Sequence, residues 1–286
     1  MKYIDLHVHS NASDGSLTPS ELVNCAVYKN LSAFALTDHD TVAGITEALD
    51  EANRINATSA SGEKLITVIP GIELSAEYYG RDIHILGLNI DYQNEVFLNQ
   101  IEHFRKTREE RNQKMIALMQ ENGFNITQEL IEKRFGTDTV ITRAHYAILM
   151  IEGGYVKDKD TAFKKYLNPG CSCYVPRTKV NVLDAVKLIL SANGKPVLAH
   201  PLLYKLSEQE LDKLVDLLSQ NGLLGIEAIY SANKWNDEAK MKSLAKKYNL
   251  FITGGSDFHG TAKPNLEMGT GYGNLQIPEE LLASIL

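Results

Sequence analysis

Apolar runs capped by histidine constrain this chain more than any other feature. Six of its eight histidines, His7, His9, His39, His84, His200 and His259, lie at an end of a strand-like run. The runs read as strands near 3–9, 33–38, 65–72, 83–89, 196–200, 223–229 and 250–256. Helical patterns separate most of them, and alternating strand and helix implies a parallel sheet. Seven strands favour a barrel one strand short of the usual eight. An open doubly wound sheet is the alternative, but the G-x-G-x-x-G turn with which such a sheet holds a dinucleotide is absent. Imidazole and carboxylate gathered at one rim of a parallel barrel form the donor set of a multi-metal catalytic site.

Helix signals agree with this layout. Thr18-Pro19-Ser20-Glu21 predicts an N-cap, a first-turn proline and a capping-box glutamate for a helix to about Lys29. A second helix is predicted from Asp40 or Thr41 to about Ile55, a third after Asn181 as cap, and others near 207–220 and 236–247. The stretch from 93 to 180 interrupts the alternation. It predicts one long helix from Glu95 to Asn122, ended by Gly123, then shorter helices over 127–134, 142–152 and 160–167. The expected organisation is therefore a barrel from 1–92 and 181–286, with 93–180 a helical insertion over its mouth, acting as a lid or substrate subdomain.

Charge and cysteine usage narrow the class of function. The net charge of −7 argues against broad electrostatic binding of nucleic acid. Residues 101–190 carry 15 Lys and Arg against 11 Asp and Glu, so the remainder is strongly acidic. An acidic body suits cations, and a mildly basic insertion suits an anionic substrate, although solvated helix faces account for those charges equally well. An odd count of three cysteines argues against a disulfide framework, and Cys171-x-Cys173 has no partner pair at zinc-site spacing. No apolar run approaches the roughly 20 residues of a bilayer span, and the start of the chain lacks a signal-peptide pattern. A cytoplasmic protein with no membrane and no obligate protein partner is expected.

The candidate ligands follow from spacing. His7-Val8-His9 places two rings on one face of a strand. Asp14 follows in the next loop, where Asp14-Gly15 is equally a good turn pair. Thr37-Asp38-His39-Asp40 ends the second strand; Asp38 is placed to hold a ligand histidine in its tautomer, and Asp40 to cap the next helix. Glu73 ends the third strand, where each carboxylate oxygen can ligate one ion. His84 sits at the start of its run, the wrong end for a parallel strand. Either that boundary is misread, the strand is short or antiparallel, or His84 is a core residue. His200, before the strand-stopping Pro201, and Gly254-Gly255-Ser256-Asp257-Phe258-His259 complete the set. Those glycines let the backbone approach closely.

Taken in order, D-L-H-V-H-S, T-D-H-D, G-I-E, A-H-P and S-D-F-H-G resemble the PHP (polymerase and histidinol phosphatase) domain over almost the whole chain. The resemblance implies a distorted (β/α)7 TIM-like barrel with the helical insertion. It also implies a ligand pattern in which His7, His9, Glu73 and Asp257 hold one ion, Glu73, His84 and His200 a second, and Asp14, His39 and His259 a third. Within the family, the insertion and Arg143-Ala144-His145 resemble the stand-alone metal-dependent phosphoesterases, which act on nucleoside 3′,5′-bisphosphates or trim RNA from its 5′ end. Donors without thiolate suit Mn²⁺, Fe²⁺ or Zn²⁺; the resemblance favours Mn²⁺, in two or three sites.

The expected activity is hydrolysis of phosphomonoesters of small nucleotides through a metal-bridging hydroxide. The alternatives are 5′→3′ exonuclease action on short RNA and a non-catalytic metal-binding domain. Glu73, Asp257, His259 and Arg143 are the expected catalytic groups. Asp40, Arg111, Arg143 and His145 are the expected substrate contacts, Arg143 as a bidentate phosphate clamp. Arg108, Arg111 and Lys114 recur at helical spacing and are equally able to pair with Glu109 and Glu110. The resemblance favours Arg111.

Overall fold

In the computed structural model, which describes residues 2–60, 62–176 and 180–286, strand and helix alternate from the start. β1 (Tyr3–Val8), α1 (Pro19–Tyr28), β2 (Leu31–Leu36), α2 (Ile45–Asn56), β3 (Thr67–Tyr78) and β4 (Arg81–Leu88) come first. The helices α3 (Glu95–Glu121), α4 (Gln128–Phe135), α5 (Arg143–Glu152) and α6 (Lys159–Ala162) follow. The chain then forms β5 (Val180–Asn181), α7 (Val182–Ser191), β6 (Lys195–Leu198), α8 (Glu208–Ser219), β7 (Gly225–Tyr230), α9 (Asp237–Lys247) and β8 (Phe251–Gly255). Two units result, Met1–Gln100 with Lys179–Leu286, and Ile101–Thr178.

The first unit is a nearly closed barrel with strand order β1-β2-β3-β4-β6-β7-β8, and β5 pairs with β3 off this path. The two ends meet just past β8: His9 N–H donates to the Phe258 carbonyl and Asp257 N–H to the His7 carbonyl, each at 2.9 Å. Pairing is parallel except at β3–β4 and β4–β6. An all-parallel sheet is therefore corrected at one strand. The third strand does not stop near residue 72 but runs to Tyr78 and turns back through Tyr79 and Gly80, at φ 46° and 78°. Two successive positive φ angles make the tight hairpin turn that matches strand twist. The reversal also resolves His84, because the first residues of an antiparallel β4 lie at the same rim as the last residues of the strands beside it.

Ile4, Leu6, Ala33, Ala35, Leu86, Val197 and Ala199 share one buried cluster. The last segment of the chain, which carries no periodic signal, adds Leu275, Ile277 and Ile285 to it. The capping box of α1 forms as expected: Glu21 N–H donates to Thr18 Oγ1 at 3.1 Å, and Thr18 N–H to Glu21 Oε2 at 2.8 Å. α2 departs from expectation, starting at Ile45 after Gly44. Asp40 is not its cap: the backbone at His39 still pairs with Glu73, and the Asp40 carboxylate accepts from Ser75 N–H at 2.9 Å.

The helical unit has its own core, which includes Met115, Met119, Ile131, Tyr146, Met150 and Leu167. Cys173 packs in it as a reduced, buried thiol. Among the described residues no helix is long and apolar enough to cross a membrane.

Candidate metal centre

Six of the seven barrel strands deliver donor residues, within the strand or just past it, to one end of the barrel. β1 supplies His7, the segments after β1 and β2 supply His9 and His39, β3 supplies Glu73 and β4 His84. The segments after β6 and β8 supply His200, Asp257 and His259. Pairing between β1 and β2 slips between Asp5 and Val8, an irregularity of the kind that re-aims side chains. Within it and just past it, His7 Nε2 and His9 Nε2 face Glu73 Oε2 at 3.4 and 3.3 Å.

Four groups of donor atoms result: His9, Asp14, His39 and His259; His7, Glu73 and His200; His7, His9 and Asp257; and His39, Glu73 and His84. The two oxygens of Glu73 face different partners. Oε1 lies 2.8 Å from His84 Nδ1 and 2.9 Å from His200 Nε2. Oε2 faces His7, His9 and also His39 Nδ1, the last at 3.0 Å. Asp14 lies 3.2 Å from His259 Nε2 and 3.9 Å from His39 Nε2. His7 Nε2, both ring nitrogens of His9, and His39 Nδ1 are buried with no hydrogen bond, although carboxylate oxygens stand nearby. Imidazole nitrogens buried in this way are costly in a protein interior. Coordination to a shared cation satisfies them, so this donor set fits divalent metal.

Charge compensation already runs through the cluster. Burial opposes ionisation of Glu73, yet His39, His84 and His7 hold its carboxyl well below the usual range. Burial likewise opposes, and His39 and His259 overcome, for Asp14. Asp257 is depressed against burial by Lys263 and His259. Burial and His259 push His9 well down, so that ring is neutral and able to ligate. Backbone strain collects here too. Asp40, His200 and Asp257 adopt φ of 52°, 27° and 59°, each costing on the order of 1–3 kcal/mol.

Surrounding groups set the orientations. Glu227, in the middle of β7, accepts from the His200 backbone N–H at 2.7 Å through Oε2, and its Oε1 lies 3.0 Å from His7 Nδ1. It fixes the His7 proton on Nδ1 and turns Nε2 to the centre. That role was expected of Asp38, which instead accepts from Ser10 N–H, Ser10 Oγ and Ser13 Oγ at 2.8, 2.6 and 2.5 Å and so pins the loop carrying Asp14. Two serines three residues apart in a short loop are better placed to reach it than any histidine ring. Asp5 accepts from Ser256 N–H, Ser256 Oγ and Gly269 N–H. A Cβ on Gly255 would run into His7 and Glu227, so glycine is needed for that close approach. Spacing missed Glu227; a lone carboxylate inside the apolar run Gly225-Ile-Glu-Ala-Ile-Tyr230 was its signal.

The remaining candidates belong to the helical unit. Arg143 donates to the Leu167 carbonyl at 3.4 Å and lies over the rings of Phe163 and Tyr174. His145 is buried and its Nδ1 accepts from Thr142 N–H at 2.9 Å, closing the cap of α5. Arg108 and Arg111 are buried on α3, and Lys114 is exposed.

Fold and donor set together define a metal-dependent phosphoesterase built on a barrel. The chain belongs to the PHP family, whose domain matches residues 5–260. It is similar to a 3′,5′-nucleoside bisphosphate phosphatase from Chromobacterium violaceum, 32% identical over 94% of this chain and 91% of that protein. It is also similar to the 5′-3′ exoribonuclease Rnm of Escherichia coli, 34% identical over 93% of this chain and 87% of that protein. A solved amidohydrolase from Chromobacterium violaceum, with bound sulfate and no metal, superposes with a TM-score of 0.86 at 32% identity, covering 99% of this chain and 97% of that one.

Proposed function

We propose that this phosphoesterase removes phosphate from small nucleotides, a nucleoside 3′,5′-bisphosphate or a mononucleotide, in two or three Mn²⁺ sites, with Fe²⁺ or Zn²⁺ as the other metals the donors suit. The observation that carries the reading is Glu73, whose two oxygens serve two separate sets of imidazoles. His7, His9, Glu73 and Asp257 are assigned to one ion, Glu73, His84 and His200 to a second, and Asp14, His39 and His259 to a third. His9 and His39 also stand close enough to a neighbouring set to be shared. Bound divalent ions supply Lewis acidity toward phosphoryl oxygens and make water a better nucleophile near neutral pH.

The chain's own groups prepare that chemistry. Glu227 holds His7 in the ligating tautomer. The Asp257 carbonyl, 2.8 Å from His259 Nδ1, does the same for His259. Asp38 keeps Asp14 in place through its loop. Arg143 and Arg111 are assigned to the substrate phosphate, with Asp40 and His145 as further contacts, and the helical unit to substrate selection. A second reading, 5′→3′ exonuclease action on short RNA, is supported by the likeness to the Escherichia coli enzyme. Both are phosphoester hydrolysis at one centre.

The test is a panel of nucleoside 3′,5′-bisphosphates, mononucleotides, histidinol phosphate and 5′-phosphorylated short RNAs, run beside His9→Ala and Asp257→Ala. The expected result is fastest turnover of a small nucleotide and none in either variant, with circular dichroism unchanged. Full activity in either variant refutes the centre. RNA turned over faster than every mononucleotide decides for the second reading. Arg143→Ala should lower substrate use and leave metal content intact.

A further inference from the structure

Lys263 lies outside every motif in the sequence, just past the short turn Gly260–Ala262. Its Nζ donates to Asp257 Oδ2 at 2.5 Å and to the Asp257 carbonyl at 3.3 Å. Tyr230 Oη donates to the same Oδ2 at 2.7 Å. The other oxygen, Oδ1, faces His259 Nδ1, His9 Nε2 and His7 Nε2 at 3.3, 3.4 and 3.7 Å. One carboxylate therefore has the imidazole donors on one oxygen and an ammonium on the other.

Tyr230 already ties Oδ2, with a neutral and buried hydroxyl. Lysine brings different properties: a full positive charge, three N–H donors and a flexible stem. Asp257 engages Nζ at two atoms, which leaves donor capacity. The Lys263 side chain is 35% exposed where that of Asp257 is 6% exposed, so part of it reaches solvent beside a buried carboxylate. A phosphoester carries negative charge on oxygens that must enter from the solvent side. A cation at that position offsets the charge as it arrives and as it redistributes during reaction.

We propose that Lys263 is a substrate-contacting residue that receives a phosphoryl oxygen beside Asp257, with Tyr230 keeping Asp257 in place when the ammonium turns to the substrate. The proposal rests on the phosphoesterase reading above. No bond to Lys263 forms or breaks; it acts through charge and hydrogen bonding.

The test compares metal-loaded wild type with Lys263→Met and Lys263→Arg. Three quantities are read: metal per chain by mass spectrometry, inorganic phosphate affinity by calorimetry, and kcat/KM on the best substrate of the panel. Lys263→Met should keep wild-type metal content, bind phosphate about tenfold more weakly and lose about 100-fold in kcat/KM. Lys263→Arg should recover most of both losses. Wild-type phosphate affinity and kcat/KM in Lys263→Met would overturn the proposal. So would metal loss in step with activity, which would make Lys263 a strut for Asp257. A wild type that hydrolyses nothing in the panel would instead sink the phosphoesterase reading, an outcome distinct from both.

Discussion

Glu227 offers the sharpest test of how the centre is held. Its carboxylate must accept at both oxygens, from the His7 ring at 3.0 Å and from the His200 backbone at 2.7 Å, and it is buried. Glutamine has nearly the same shape but only one acceptor. If its oxygen turns to His200, its NH₂ meets His7 Nδ1, and that ring must move its proton to Nε2. Nε2 is the atom that faces Glu73 and Asp257 at 3.4 and 3.7 Å. If the amide is flipped, two donors confront each other at His200. The first orientation keeps both contacts but turns the ligating nitrogen into a donor, and the second breaks a buried hydrogen bond; either way the site gives up an interaction worth about 1.5–3 kcal/mol. That corresponds to roughly 10- to 150-fold in Mn²⁺ affinity. Calorimetric titration of wild type and Glu227→Gln with Mn²⁺ measures it, and ¹⁵N NMR of the imidazoles reports the tautomer. Unchanged Mn²⁺ affinity with the His7 proton still on Nδ1 would refute the reasoning.

Gly255→Ala should push β8 away from His7 and cost about 1–3 kcal/mol; a variant with wild-type Tm and full metal content would show that the close approach is unimportant. Chelation should abolish hydrolysis and lower Tm, and Mn²⁺ restored to 100 times its Kd should return about 2.7 kcal/mol per site. A Tm indifferent to Mn²⁺ would count against the centre. Asp5 gives a pH signature: burial pushes its carboxyl from 3.8 up to about 6, against hydrogen bonds from Ser256, Gly269 and His7. A raised folded-state value means this group's stabilisation is full below pH ~4 and is lost as pH rises through ~6, about 3 kcal/mol in all. Asp5→Asn should therefore gain on the wild type by that amount between pH 4 and 6, and parallel denaturation profiles would exclude it.

The donors were legible because strand ends repeat. H-x-H, the histidine after β2, A-H-P and D-x-H each need only local spacing to be noticed, and a parallel barrel brings such ends together. His84 stood out as a strand-end histidine, but its place among the ligands rested more on family resemblance, because its position depends on chain direction. The signal for direction was Tyr79-Gly80, a two-residue turn inside what reads as a gap between two strands. Glu227 and Lys263 were harder. Each acts on a residue distant in sequence or outside its own element, Glu227 on His7 and Lys263 on Asp257. No periodicity records such pairings. Asp38 shows the converse: it sits beside a candidate ligand in sequence, yet its hydrogen bonds go to two serines of another loop.

The β3–β4 hairpin has a bearing on how this protein can change length. Glu73 stands opposite Leu86, and Ser75 opposite His84, across a turn at Tyr79 and Gly80. The two arms act as a matched pair of rulers. One residue added to either arm between Glu73 and the turn, or between the turn and His84, would send the far side chains to the opposite face. Added at the turn itself, the same residue disturbs neither reading. The tip is thus a point where the chain can grow and Glu73 and His84 stay in register, and it is where new sequence could be grafted beside the centre with the least loss.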